Sequence, residues 1–334
     1  MYLSIIIPVF NGATTIGGCL DSIFSQGLDE NQFEVICVDD CSPDPSSVAA
    51  IENYEYQGIH PPNLILIKLD VNKGIGGARN TGICAAKGKW LQFVDCDDFI
   101  IKGVLNGLLL KAMQHSNLDI ITFDYVIGTK TELYSKNHRK MNVSKIMTGP
   151  EYHIAQSGPQ KATEALFRKS LLSSNRLWFV ENVRFEDLDF VIKATILARN
   201  VLFVPIDVYY YVKHEGQTTD IGPDPIKIKE LFNMCNRLAN FALDFKENYP
   251  QNSDIMLGHA GAARIAFLKR DLWKLPFRER LSVLREVRLP IKTGNVFADF
   301  TCAHPYVTNL LLCPLNQPTV NLLIQIKAFI KRLK

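Results

Sequence analysis

Short β-branched runs alternate with helical stretches through the first 125 residues, and this alternation constrains the fold more than any other feature. Residues 3–9, Leu-Ser-Ile-Ile-Ile-Pro-Val, predict a strand, and Thr14 and Thr15 offer N-caps for a helix to about residue 26. Further strands are expected at 33–38, 64–69, 90–94 and 119–125, with helices between them, including 102–115. Repeating β-α units with short connections imply a mostly parallel sheet flanked by helices, an α/β fold. The opening run has no basic lead-in and no small-residue cleavage site, so it reads as a first strand and not as a signal peptide.

Acidic residues gather where two of these strands end. Asp39-Asp40 closes the second strand, and Asp95-Cys96-Asp97-Asp98 closes the fourth. Ligands of open parallel sheets bind beyond the carboxyl ends of the strands, at the switch in strand order. Acids converging there repel one another unless a cation sits among them, and hard oxygen ligands suit Mg²⁺ or Mn²⁺. Because Mg²⁺ takes only one or two carboxylates and completes its shell with phosphate oxygens and water, a diphosphate-bearing substrate is the natural third party. Capping alone accounts for a single Asp at a strand end more readily than for both clusters.

The turn after the third strand, Asn72-Lys73-Gly74-Ile75-Gly76-Gly77-Ala78-Arg79-Asn80-Thr81-Gly82, lets backbone approach a ligand, and Arg79 at a helix start could hold negative charge. It fails as a dinucleotide fingerprint, because position 79 is not glycine and the turn follows the third strand. No Walker A pattern exists, since Gly88-Lys89 precedes Trp90.

The pattern weakens from 126 to 158, where Lys130, Lys136, Arg139, Lys140 and Lys145 make a basic stretch. Helices are then expected at 162–168 and 186–198, and strands at 201–204 and 207–212. After residue 222 the chain reads as helical, with Ile228, Leu231, Phe232, Cys235, Leu238, Ala239 and Ala242 recurring at three and four residues. Two more helices are expected at 255–272 and 276–287. Lys and Arg total 37 against 34 Asp and Glu, a balance of +3 that argues against nucleic acid as a partner. No run reaches 18 uninterrupted apolar residues, so a spanning helix is not expected. The eight cysteines form no CxxC pair, which fits a reducing cytoplasm.

Six segments carry a family resemblance. Ser4-Ile5-Ile6-Ile7-Pro8-Val9-Phe10-Asn11 resembles the opening strand of the family 2 glycosyltransferases, which have the GT-A fold. Val38-Asp39-Asp40-Cys41-Ser42-x-Asp44 is similar to their nucleotide-contacting segment, with Cys41 in place of the usual glycine. Asn72-x-Gly74-x-x-x-Ala78-Arg79-Asn80-x-Gly82 and Phe93-Val94-Asp95-Cys96-Asp97-Asp98 resemble their next two motifs, the latter containing the DxD metal motif. Phe185-Glu186-Asp187 looks like the motif that carries the family's catalytic base, and Tyr209-Tyr210-Tyr211-x-x-His214 like the close of its catalytic domain.

The resemblance implies an inverting, metal-dependent transfer of a sugar from a nucleotide-diphosphate donor to an acceptor hydroxyl. It places Pro8, Asn11, Asp39, Asp40, Asn72, Gly74, Arg79, Asp95 and Asp97 on the donor side, with Asp39 against the base. It makes Asp97 the principal ligand of Mn²⁺ or Mg²⁺, with Asp95 its partner, and Asp187 the general base. His214 reads either as a further metal or diphosphate ligand or as a satisfied surface histidine. Glu186 and Trp178 fall on the acceptor side, though Trp178 also reads as a core aromatic. Arg79 and Asn80 read equally as braces behind the strand-end loops.

The expected division is a GT-A catalytic domain over 1–220, with donor binding in 1–125 and the acceptor side in 126–220, followed by a helical region over 221–334. The expected acceptor is a growing surface glycan, free or lipid-linked. Residues 318–334 form an amphipathic pattern, and the chain from 300 onward has four basic residues and no acid. That pattern suits either adsorption to an anionic leaflet at the inner face of the membrane or docking of a terminal helix on its neighbours. Two rival readings are a catalytically silent nucleotide-sugar-binding subunit and an aspartate-dependent phosphotransferase. Asp98-Phe99 after the second Asp of the fourth-strand motif weighs against the phosphotransferase.

Overall fold

Strand β1 (Leu3–Val9) is buried along its whole length, as is β2 (Phe33–Asp39). Strands covered on both faces by helices read as near-continuous apolar runs, and these two do apart from Asp39 at the end of β2 and the buried pair Ser4 and Glu34, in which the Ser4 hydroxyl donates to the Glu34 carboxylate at 2.6 Å. The computed structural model describes residues 1–129, 133–137, 145–155, 161–214, 224–286, 296–305 and 308. Its two compact units are Met1–Glu215 and Gly216–Lys334.

In the first unit, α1 (Ile16–Phe24), α2 (Ser46–Glu52), α3 (Gly74–Ala85) and α4 (Leu105–Gln114) alternate with β3 (Leu64–Lys68), β4 (Trp90–Phe93) and the two-residue β5 (Phe99–Ile100). Then come β6 (Ile120–Gly128), β7 (Leu133–Asn137), α5 (Gly149–Ala155), β8 (Ala165–Arg168), α6 (Lys169–Ser174), α7 (Glu186–Leu197) and β9 (Val201–Val212). The strands form one sheet, in the order β3-β2-β1-β4-β8-β6-β9-β5, with β7 beside β6. Strands β3, β2, β1 and β4 are parallel, as are β6 and β9. The chain steps from β1 to β2 on one side and to β4 on the other. The carboxyl ends of β1, β2 and β4 therefore flank the switch in strand order, where α/β sheets leave a crevice. Helix α3 packs close to β1 because Gly82 has no Cβ, which would stand 2.3 Å from Ile6 Cγ2.

The structure departs from the sequence expectation in several places, including β7, α5 and α6, for which no element is expected. Residues 162–168, expected as a helix, are a 3₁₀ turn (Ala162–Glu164) followed by β8, which runs antiparallel between β4 and β6. Its apolar run Ala165-Leu166-Phe167 is fully buried, and so short a run carries no period that separates strand from helix. The two strands expected at 201–204 and 207–212 are one strand, β9, whose register with β6 shifts around Asp124. Strand β5 is too short to leave a periodic signal and pairs antiparallel with β9.

The second unit is helical: α8 (Pro225–Asp244), α9 (Pro250–Arg270), α10 (Phe277–Glu286) and α11 (Val296–Ala303). Asp224 caps α8 by accepting from the Lys227 N–H at 2.8 Å, with Pro225 at the first helical position. Ile228, Leu231, Phe232, Cys235, Leu238, Ala239 and Ala242 all lie on its buried face. Among the described residues no helix is long and apolar enough to cross a membrane. The tail at 318–334 and most of the basic stretch at 130–145 lie outside the described residues.

Candidate active site

Beyond β2, the two neighbouring acids are tied into different turns. Asp39 is 3% exposed and accepts from the Ser42 backbone N–H (3.1 Å) and hydroxyl (2.6 Å), while the Asn11 N–H donates to the same hydroxyl (3.0 Å). Asn11 adopts φ 54° and Cys41 φ 58°, so the family's usual glycine is replaced at a position where the chain needs the left-handed region. Pro8 is buried in β1, paired with Val38. Asp40 accepts from the Lys73 N–H at 2.7 Å, and its carbonyl accepts from Asn72 at 2.9 Å. Burial raises its pKa, partly offset by that N–H bond. Gly74, at φ 70°, starts α3 at this turn. Asp39 and Asp40 thus brace the loops that rim the crevice.

Beyond β4, one buried cation joins two elements far apart in sequence. Arg79, 2% exposed, donates to Asp95 Oδ1 at 2.8 Å and to Glu186 Oε1 at 2.5 Å, and lies over the Phe179 ring. Burial works against its charge, but the carboxylates of Asp95 and Glu186 outweigh it and hold the guanidinium more firmly protonated. Arg79 therefore faces carboxylates and not open space. Asn80 spans to the same loop, exchanging two 2.9 Å bonds with the Phe179 backbone. Both side chains thus tie α3 to the loop before α7 and the start of α7, and Arg79 also reaches the turn after β4.

Strand β9 closes the rim from the other side. The Tyr209 hydroxyl donates to Asp98 Oδ2 at 2.6 Å and accepts from the Asp95 N–H at 3.1 Å, while the Val212 N–H donates to Asp98 Oδ1 at 2.8 Å. Burial, with Asp95 and Asp97 nearby, drives the Asp98 pKa well up. Two residues past the strand, His214 Nε2 sits 2.7 Å from Asp97 Oδ2, and both side chains are partly open at 44% and 31%. Asp97 and His214 are brought together; Asp95 is drawn instead onto Arg79.

Helix α7 starts abruptly. Phe185 precedes it in the left-handed region at φ 60°, a conformation costing a bulky residue of order 1–3 kcal/mol. Glu186 and Asp187 then occupy the first turn, where the helix dipole favours acids. Burial pushes Glu186 up to about 7 despite its contact with Arg79, with Asp187 adding to the rise. Asp187, half-buried, is also raised, by burial first; Arg79 and Lys161 pull it down and Asp95 pushes it up. Trp178 is 44% exposed, which overturns its reading as a core aromatic; its neighbour Phe179 takes the core place, stacked on Phe190 at 3.8 Å.

Among the described residues no three His, Cys, Asp or Glu side chains form a ready-made metal cage. Among the described residues, Asp97 and His214 bring a partly exposed carboxylate and imidazole into contact. Two protein ligands fit a hard divalent ion that draws its remaining ligands from phosphate and water, and they do not fit a closed structural site. Lys161, which no motif singled out, also proves to face this rim. Its position depends on β6, β9 and the 3₁₀ turn meeting in space, so no spacing along the chain could have revealed it.

Residues 4–173 match the family described as Glycosyl transferase family 2. The chain is 33% identical over 234 residues to a poly(ribitol-phosphate) beta-glucosyltransferase of Bacillus spizizenii, covering 67% of this chain and 34% of that protein. It is 32% identical over 322 residues to the minor teichoic acid biosynthesis protein GgaB of Bacillus subtilis, covering 92% of this chain and 34% of that protein. The chain spans about a third of the length of both. The crystal structure of S. aureus TarS 1-349 in complex with UDP-GlcNAc superposes with a TM-score of 0.69 at 21% identity, over 93% of this chain and 90% of that one. Likeness thus extends past residue 218, where the motifs end, into the helical region. The motif order, the mixed sheet with its acid-lined switch point and the match over half the chain agree: this protein belongs to glycosyl transferase family 2.

Proposed function

We propose that this chain transfers a sugar, with inversion, from a nucleotide-diphosphate donor to a hydroxyl of a phosphate-bearing polyol or glycan polymer. The observation that carries this reading is the linkage of three acid sites around one crevice. Asp97 meets His214, Asp95 is tied to Tyr209, and Arg79 bridges Asp95 to the helix start that holds Glu186 and Asp187. The acceptor class follows the names of the two relatives, and a uridine donor follows the ligand of the TarS complex.

In this reading Pro8, Asn11, Asp39, Asp40, Asn72 and Gly74 shape the nucleotide end of the crevice. Asp187 receives the acceptor hydroxyl's proton on its carboxylate. Burial and Asp95 raise its basicity, while Arg79 and Lys161 keep it ionised. A positioned base of this kind contributes about 10²–10⁴-fold. Asp97 and His214 would hold Mn²⁺ or Mg²⁺, with Asp95 behind them, and a bound divalent ion supplies Lewis-acid stabilisation of the departing diphosphate. Trp178, exposed on the loop before α7, offers an apolar surface to the acceptor. Residues 1–220 carry this chemistry, and the basic pattern at 318–334 serves either adsorption to an anionic membrane face or docking on neighbouring helices.

The test is a donor screen with the full chain and Mn²⁺, read as nucleotide release and transfer to a polyol-phosphate acceptor. Asp187→Asn should lower kcat by about 10²–10⁴-fold and leave donor affinity intact. Transfer at the wild-type rate by this variant would remove Asp187 from the role of base. Binding of nucleotide sugars without turnover by the wild-type chain would favour a silent subunit instead.

A further inference from the structure

Lys161 stands just before the 3₁₀ turn that leads into β8, and its backbone is pinned there by its carbonyl, which accepts from the Glu164 N–H at 3.1 Å. Its ammonium lies 3.9 Å from the centre of the Tyr211 ring and 5.7 Å from that of Tyr125. In the parallel pairing of β6 and β9, Tyr125 faces Tyr209 and Ile127 faces Tyr211. Side chains two apart share a face, so both rings belong to the surface that also carries Tyr209, the residue bonded to Asp98. Lys161 is therefore held over the strand ends of the crevice by aromatic faces. Such faces attract a cation without neutralising it.

Among the described residues Lys161 makes no salt bridge and no side-chain hydrogen bond; its recorded neighbours are the two rings and, through space, the Asp187 charge. An ammonium has three donors and no acceptor, so a half-buried one with all three unassigned is arranged to receive an oxyanion. In the reaction proposed above, the donor's diphosphate belongs with the divalent ion that Asp97 and His214 would hold. The group next to Asp187 in the reaction proposed above is the acceptor.

We infer that Lys161 is a phosphate-binding residue that holds a phosphate group of the acceptor beside Asp187, and so selects an anionic acceptor over a neutral sugar. This rests on the reading of Asp187 as the base. Phosphate binding, however, can be measured without turnover, so the two proposals fail separately.

The probe is inorganic phosphate, titrated into the full chain saturated with UDP and Mg²⁺ and followed by the ³¹P line width of the free ion. The wild-type chain should bind phosphate with the nucleotide site filled. Lys161→Gln should weaken that binding about tenfold or more, the scale of a charge-assisted hydrogen bond. Lys161→Arg keeps the charge and should restore most of it, which separates loss of the cation from loss of folding. UDP affinity should stay within about twofold in both variants, far below the tenfold step expected of a lost direct contact. Equal phosphate binding by wild type and Lys161→Gln, or none by wild type, would overturn the inference. Exclusion of phosphate by UDP, with UDP affinity falling in Lys161→Gln, would assign Lys161 to the donor and overturn the acceptor assignment.

Discussion

Replacing Arg79 with Gln tests whether one buried cation holds the two halves of the rim together. The substitution removes the contacts to Asp95 and Glu186, whose side chains are 29% and 8% exposed. Breaking a buried pair by deleting one partner costs about 3–5 kcal/mol when the survivor stays charged. Here the survivor can escape by protonation. In the intact protein Glu186 already titrates at about 7, above its ordinary 4.5, because burial exceeds the help from Arg79. A carboxyl whose folded-state pKa is raised subtracts stability as pH climbs from its unfolded value to its folded one, and nothing more above that. In the intact protein this decline ends near pH 7. Without Arg79 the folded pKa moves higher, so the decline continues. Each further pH unit then costs up to about 1.4 kcal/mol.

At pH 6 the variant should therefore lose about 3 kcal/mol, chiefly from Asp95, the Phe179 contact and packing. At pH 8 it should lose about 1.4 kcal/mol more. For a unit of this size, each kcal/mol is about 2–4 °C in Tm, which gives a drop of about 6–12 °C at pH 6 and a further 3–6 °C at pH 8. Thermal unfolding of the full chain followed by circular dichroism at pH 6, 7 and 8 reads both quantities. A loss equal at pH 6 and 8, or below about 1 kcal/mol throughout, would refute the claim that Arg79 sustains the buried Glu186 charge.

Three further substitutions probe the parts of the site separately. His214→Ala should lower the apparent affinity for Mn²⁺ in the presence of UDP about tenfold, measured by calorimetry; an unchanged affinity would return His214 to the surface-histidine reading. Tyr209→Phe deprives Asp98 of its 2.6 Å donor and Asp95 of an acceptor, and should cost about 1–3 kcal/mol in urea unfolding. Gly82→Ala drives a Cβ to 2.3 Å from Ile6 Cγ2 and should cost about 1–3 kcal/mol, with a matching fall in Tm if α3 cannot shift on β1.

The ends of β2 and β4 are legible because each is a largely apolar run that stops at a cluster of acids. That pattern puts Asp39-Asp40 and Asp95 through Asp98 on one rim, and the sheet order places their strands on either side of β1. Strand β8 escapes the sequence because it inserts antiparallel from a distant part of the chain, an arrangement to which a three-residue apolar run bears no witness. Arg79 lay inside a recognised motif, yet the motif could not say whether its guanidinium turned to a ligand or inward. The burial of Glu186, 107 residues away, decides that it turned inward.

By itself, the sequence determined the alternating β-α plan, the acids at the strand ends, the first-turn acids of α7 and the family, since each is a local pattern of residue types. Tertiary structure alone decided which acid meets which partner. It tied Asp95 to Arg79, left Asp97 open beside His214, and set Lys161 over Tyr211 facing Asp187. The physical reason is that a carboxylate's role depends on burial and on its nearest charge, and both come from segments that only folding brings together.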